Sequence, residues 1–217
     1  MVINSNVYTR SVTNEPTEVE TAGQTTRSRA KADRREALLA AAARLFAERG
    51  FERVSLEDLG SAAGVSGPAV YRHFSNKQAV LGALLVGASE GLHAGGMQVI
   101  AEESDPREAL GRLVAFHVDF ALRDPDVIRV QDRDLDSLSE DDRHIVRALQ
   151  RSYVEKWVDV LAQLDPNAAR SILRTRAHAT FGLLNSTPHS VAGGQVRSLL
   201  EAMALAALTT PVEQPET

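Results

Sequence analysis

The 217-residue sequence contains no cysteine, which removes disulfides and cysteine-based zinc sites from consideration and suits a reducing, cytoplasmic setting. No apolar run approaches the ~20 residues needed to cross a bilayer, and the N-terminus has no hydrophobic signal region, so export is not expected. No stretch alternates apolar and polar residues as a half-buried strand does, and no internal repeat is present. The signatures of catalysis and metal binding are missing too. The six histidines are scattered, without a His-x-x-x-His pair beside a carboxylate at ligand spacing. There is no phosphate-binding loop, no dinucleotide glycine fingerprint and no Gly-x-Ser-x-Gly elbow, and Gly193-Gly194 is followed by neither Lys-Ser nor Lys-Thr. What remains is an all-α cytoplasmic protein with no metal, no cofactor, no membrane partner and no enzymatic machinery.

What is present is unevenly distributed. Hydrophobic content of 43% and charged content of 24% are ordinary for a globular chain with a sizeable core, in one large or two modest domains. The net charge of −5 looks wrong for a partner of nucleic acid. Its distribution reverses that impression. Residues 27–77 carry 10 Lys+Arg against 6 Asp+Glu, whereas residues 78–217 carry 13 against 20. A positive head on a negative body fits a DNA-binding domain joined to an effector domain.

The head contains the most informative stretch, Ser55–Lys77, SLEDLGSAAGVSGPAVYRHFSNK. Ser55 is a good N-cap, with Glu57 and Asp58 facing the positive end of the helix it opens. Leu56, Leu59 and Ala63 recur at helical spacing, and Gly64 ends the helix because glycine takes the left-handed conformation without steric cost. Val65 plugs the turn and Ser66 can cap a second helix, in whose first turn Pro68 is tolerated. Val70 and Phe74 bury that helix's inner face. Two short helices joined by a glycine-containing turn are a helix-turn-helix, with Gly60 where the helices cross most closely. The outer face then carries Gly67, Pro68, Ala69, Arg72 and His73, with Tyr71 at its flank. Small residues at a helix N-terminus admit it to a major groove, and polar ones beyond reach phosphates.

Ser55, Leu59, Ala63-Gly64-Val65-Ser66, Val70-Tyr71-Arg72-His73-Phe74 and Asn76-Lys77 together resemble the signature of the tetracycline-repressor (TetR) family of bacterial regulators. Gly60 stands where that pattern more usually has Ala, which keeps the residue small. The resemblance extends upstream through Leu45-Phe46-Ala47-Glu48-Arg49-Gly50-Phe51. A weaker likeness, in Arg129–Leu135 and Leu149–Tyr153, is to actinobacterial members linked to acyl-thioester or lipid catabolism.

Around this motif, residues 1–26 read as a disordered tail, followed by a basic arm of Arg27, Arg29 and Lys31 that can reach DNA. A helix from Asp33 to Arg49 supplies Leu38, Leu39, Ala42, Leu45 and Phe46, and with Phe51, Leu56, Leu59, Val70 and Phe74 completes a three-helix head over 27–77. A helical effector-binding and dimerisation domain is expected over 78–210, with a disordered end at 211–217. Its first helix starts near Lys77, whose place at a helix N-terminus suits a phosphate. That helix is expected to run to about Gly91, and Gly87, Gly91, Gly95 and Gly96 suggest a bend or frayed segment near 91–96 that would suit a hinge, with close helix packing as the alternative. Further helices are expected from Pro106 to about Arg123, from Pro125 to about Leu135, from Ser139 to Leu164 along Ile145, Leu149, Tyr153, Trp157, Val160 and Leu164, over about 166–185, and from Ser190 to about Leu208. The charged run Asp132–Asp136 reads as a solvated, self-paired face.

The candidate sites follow. DNA contact is assigned to Arg27, Arg29, Ser55, Ser66, Gly67, Pro68, Ala69, Tyr71, Arg72, His73 and Lys77. An apolar or amphipathic effector would meet Phe116, His117, Phe120, Tyr153, Trp157, His178 and Phe181, although an aromatic set of this kind also suits a plain core. The resemblance implies that the C-terminal helices pair two copies as a four-helix bundle, through Ile172, Leu173, Ala177, Thr180, Leu184, Val196, Leu199, Leu200 and Met203. The reading is a homodimeric repressor released from a pseudo-palindromic operator by a small molecule. An activator, or a helical acyl-binding or enzymatic protein without DNA affinity, is the alternative.

Overall fold

The computed structural model describes residues 18–187 and 195–211, with side chains described from Ser28 onward. The described residues are all-α. The expected tail over 1–17, the start of the last helix at Ser190 and the expected disordered end over 212–217 lie outside them.

Helix α1 runs Glu18–Arg49, α2 Leu56–Ala62 and α3 Gly67–Val70; the body follows as α4 Lys77–Glu102, α5 Pro106–Arg123, α6 Pro125–Asp134, α7 Glu140–Leu164, α8 Arg170–Leu184 and α9 Val196–Thr209. α1 starts 15 residues before the expected Asp33, so residues 18–26 are helical and not a disordered tail. Glu18, Glu20, Ala22 and Gln24 favour helix, and Gly23 weakens it without ending it. Arg27, Arg29 and Lys31 consequently ride on a helix and form no extended arm.

α4 runs past its expected end near Gly91, unbroken through Glu102. Its glycines explain this. A Cβ on Gly95 would lie 2.3 Å from the Phe116 ring, one on Gly96 2.4 Å from Tyr153, and one on Gly82 2.3 Å from the Asp142 carboxylate. These glycines permit close helix packing, and the helix is continuous through 91–96.

Two apolar cores are built on this frame. The head core gathers Leu38, Phe46, Phe51, Leu59, Val70 and Phe74, then continues into α4 through Val80, Leu81 and Leu85 and takes Val127 and Val130 from α6 and Val146 from α7. The head therefore has no linker at residue 77. The body core lies among α5, α7, α8 and α9, around Leu110, Leu113, Trp157, Leu161, Leu173, Leu184 and Leu208. Ile145, expected on the buried stripe of α7, is 42% exposed and Val146 is buried in its place.

Candidate nucleic-acid interface and ligand cavity

Ser55 closes a complete capping box on α2: its Oγ accepts from the Asp58 amide at 3.1 Å, and the Ser55 amide donates to Asp58 Oδ2 at 2.9 Å. The Ser55 hydroxyl also donates to Asp58 Oδ2 at 2.7 Å. Donation by the Ser55 amide, and after it by the hydroxyl, holds the Asp58 carboxyl below the usual carboxylate range. The hydroxyl hydrogen of Ser55 is engaged in the cap, while the residue itself is exposed. Gly64, at φ 65, makes the turn, and the Val65 amide returns to the Gly60 carbonyl at 2.8 Å. Gly60 lies so close to the next helix that a Cβ there would stand 2.8 Å from Val70 Cγ2.

The regular part of α3 covers only Gly67–Val70. The expected helix Ser66–Phe74 continues as tightened turns, with Arg72 N donating to Ala69 O at 3.2 Å and Phe74 N to Val70 O at 3.0 Å. Ser66 caps α3 by backbone conformation, without a side-chain bond. Pro68 and Arg72 are exposed, Gly67, Ala69 and His73 half-buried. Tyr71 is 55% exposed and its hydroxyl donates to Glu57 Oε1 at 3.3 Å. Lys77 departs from expectation. Its ammonium donates to the carbonyls of Phe51 at 2.7 Å and Glu52 at 3.3 Å and lies 4.3 Å from the Phe51 ring centroid. It braces the turn after α1 instead of facing solvent as a phosphate ligand.

A groove between α1 and α3 is lined by Lys31, Arg34, Ser66, Ala69, Arg72 and His73, among others. Burial depresses the His73 pKa, and the positive charges of Lys31, Arg34, Arg35 and Arg72 depress it further. That response marks an electropositive site, suited to an anionic backbone. Arg34 and Arg35 were not among the sequence candidates; their position one α-turn after Lys31 was the available signal. Arg29 is exposed on α1, and the Arg27 side chain lies outside the described part.

In the body, a cavity of about 200 Å³ opens among α4, α5, α6, α7 and α8. Of the seven expected effector residues, it brings together His117, Tyr153, His178 and Phe181. Trp157 stands behind them, fully buried, its ring 4.8 Å from Phe181. Phe116 packs on Gly95 instead, and Phe120 belongs to the margin of the head core. Sequence reasoning missed the polar lining of Ser89, Gln131, Gln150 and Asn185 and the apolar Leu92, Leu149 and Val154. Asn185 had a usable signal, four residues after Phe181 on the same helical face. His117 Nε2 is 3.1 Å from Asn185 Oδ1, and Nδ1 is 3.5 Å from the Tyr153 hydroxyl. Burial pushes the His117 pKa down to about 4, so the ring is neutral at pH 7, and pushes the Tyr153 phenol up.

The run 132–136 is self-paired through Arg133 and Asp134, whereas Asp136 meets Arg143 and Arg147 of α7 at 3.8 and 3.7 Å, and it is not simply a solvated face. Arg133 meets Asp134 at 2.9 Å, and Asp134 is only 7% exposed. The same guanidinium donates to the Phe46 and Ala47 carbonyls at the C-terminal end of α1. α6 thus holds the head with Arg133 and borders the cavity with Gln131, two residues away.

The expected pairing surface divides. Leu173, Ala177, Thr180, Leu184 and Leu200 are buried within the body, because their helical phase points into the core, and they are not available to a second copy. Ile172, Leu199 and Met203 are exposed, at 41%, 58% and 46%, and Val196 is half-buried.

The family model for bacterial regulatory proteins of the tetR family matches residues 38–84, and that for the tetracyclin repressor-like C-terminal domain matches residues 103–189. The chain belongs to the TetR family. Relatives include the HTH-type transcriptional repressor KstR2 of Rhodococcus jostii, 28% identical over 60% of this chain and 65% of its own length. The HTH-type transcriptional activator FasR of Mycolicibacterium smegmatis is 34% identical over 42% of each chain. The TetR fold is shared with a TetR-family regulator from Bordetella parapertussis, with a TM-score of 0.74 at 26% identity over 81% of this chain and 94% of that one. PfmR, a TetR-family regulator from Thermus thermophilus, gives 0.70 at 25% identity over 82% and 96%.

Proposed function

We propose that the chain is a dimeric transcriptional repressor that leaves a pseudo-palindromic operator when a small apolar or amphipathic molecule occupies the body cavity. The observation that carries this reading is the helix-turn-helix itself. Its capping box and Gly60 crossing fix α2 against α3, and Ser66 and Ala69, which flank Gly67 and Pro68, border a groove lined by Lys31, Arg34 and Arg72 with Asp33 among them. Backbone approach and thymine-methyl contact by Pro68 and Ala69 would read bases. Tyr71, Arg29 and the groove cations would hold phosphates, which position the protein without specifying sequence.

Release requires a ligand to favour one head arrangement over another. Two helices offer the path. α4 carries Ser89 and Leu92 at the cavity and shares the head core, and α6 joins Gln131 to the Arg133 latch. The exposed Ile172, Leu199 and Met203 would pair two copies and so set the spacing of the two α3 helices.

Gel shifts against the chain's own upstream DNA test the reading. Sequence-specific binding should survive competitor DNA, Tyr71→Ala should weaken all sequences alike, and substitutions at Ala69 should change base preference. Binding that competitor abolishes would sink it. Likeness to the activator FasR favours activation as a second reading, which an operator lying upstream of the promoter elements rather than across them would support.

A further inference from the structure

We propose that the body cavity recognises an uncharged, oxygen-bearing hydrophobic group of about eight to ten non-hydrogen atoms, its oxygen accepting a hydrogen bond from the Asn185 side-chain amide. The inference rests on the reading of this cavity as a ligand site and deepens it.

Size is the first constraint. A cavity of about 150 Å³ accepts benzene, so about 200 Å³ leaves room for one ring with a short substituent. Charge is the second. No Lys, Arg, Asp or Glu lines the cavity, and an ion taken from water without a partner loses far more than a hydrogen bond returns. His117 does not supply the missing cation, because burial keeps it neutral at pH 7, and His178, the other lining histidine, is exposed to solvent.

The polar end is set by donor and acceptor logic. Asn185 Oδ1 can only accept, so His117 Nε2 donates across the 3.1 Å contact. The neutral ring then has Nδ1 as an acceptor, facing the Tyr153 hydroxyl. With its oxygen held by His117, the Asn185 carboxamide, which lines the cavity, has its NH2 left to donate. An acceptor such as a ketone, ester or thioester carbonyl completes that arrangement, and Leu92, Leu149 and Phe181 receive the apolar remainder. The group can be a whole free molecule or the acyl end of a larger conjugate.

Three probes of matched size separate the requirements: acetophenone, its anionic analogue benzoate, and ethylbenzene, which lacks the oxygen. Trp157, the sole tryptophan, packs on Phe181, so its fluorescence reports occupancy in the full-length protein. Acetophenone should bind saturably, with ethylbenzene about tenfold weaker and benzoate weaker still. Asn185→Leu should bring acetophenone and ethylbenzene to within about twofold of each other. The wild-type ranking stands as a test even if that variant folds poorly. Benzoate binding as well as acetophenone, no preference for acetophenone over ethylbenzene, a preference that survives Asn185→Leu, or no acetophenone binding would each overturn the proposal. Benzoyl-coenzyme A distinguishes the sources: tighter binding than acetophenone identifies the acyl end of a conjugate, weaker binding a free molecule. Gel shifts run separately keep the two readings apart. Asn185-dependent binding without DNA affinity leaves the cavity assignment standing and removes the repressor, and specific DNA binding without acetophenone binding does the reverse.

Discussion

A neutral His117 imposes a pH dependence on folding. Its pKa is about 4 in the folded protein against about 6.5 in an unfolded chain. Above pH 6.5 neither state is protonated there, so the group has no effect. As pH falls from 6.5 towards 4 the unfolded chain takes up the proton first, and stability is lost by roughly 3 kcal/mol at the lower end. Urea unfolding of wild type and His117→Gln across this range should show a steeper decline in wild type; parallel declines would contradict a buried neutral histidine. At this scale the sequence was only partly legible. His117, Tyr153 and Phe181 stand out because aromatic residues at helical spacing must face something apolar. Gln131 and Gln150 do not, since an amide beside a cavity and an amide in water obey the same periodicity. Depth decides between them, and depth is set by neighbouring helices.

Among the elements, α4 separates intrinsic propensity from tertiary packing. Gly87 and Gly91 face open space, whereas a Cβ at Gly96 would meet the Tyr153 ring at 2.4 Å. Gly87→Ala and Gly91→Ala should each stabilise the protein by roughly 0.4–1 kcal/mol, and Gly96→Ala should destabilise it by roughly 1–3 kcal/mol through overpacking. Denaturation midpoints check both signs. Summing four glycines as helix breakers predicts a bend, whereas Gly95 and Gly96 fit the alternative reading, the close approach of other helices. Helix ends with a chemical marker were legible for that reason: Pro106 opens α5 and Ser139 caps α7 at 3.1 Å to the Asp142 amide. The latch of α6 on α1 was not, because Arg133 reaches across 86 residues to the Ala47 carbonyl. Arg133→Met, which strips those carbonyls and buried Asp134 of a donor, should cost roughly 1–3 kcal/mol. Arg133→Lys should recover only part, since an ammonium cannot fork to both carbonyls and the carboxylate. Full recovery in urea titrations would show that charge alone matters there.

For the molecule as a whole, the charge split and the exposed apolar side chains act on the same event. The basic segment 27–77 attracts a polyanion while the acidic remainder keeps non-specific attraction low. One head with a short α3 has few side chains to read sequence, so a single copy should hold its half-site weakly. Joining two heads makes the second contact intramolecular and multiplies affinity without any new contact. Leu199 and Met203 are four apart on α9 and exposed, so Leu199→Glu combined with Met203→Glu puts like charges on the surface proposed to pair. Neither side chain supports the body core, so helical circular dichroism and cavity binding should survive. Sedimentation should then report a monomer, and operator affinity should fall by roughly 100-fold or more, while affinity for a half-site changes little. The salt slope on the full operator should fall with it, because a lone head neutralises about half as many phosphates. A monomer that kept full operator affinity would remove the dimer from the mechanism and transfer the burden of specificity to α3 alone.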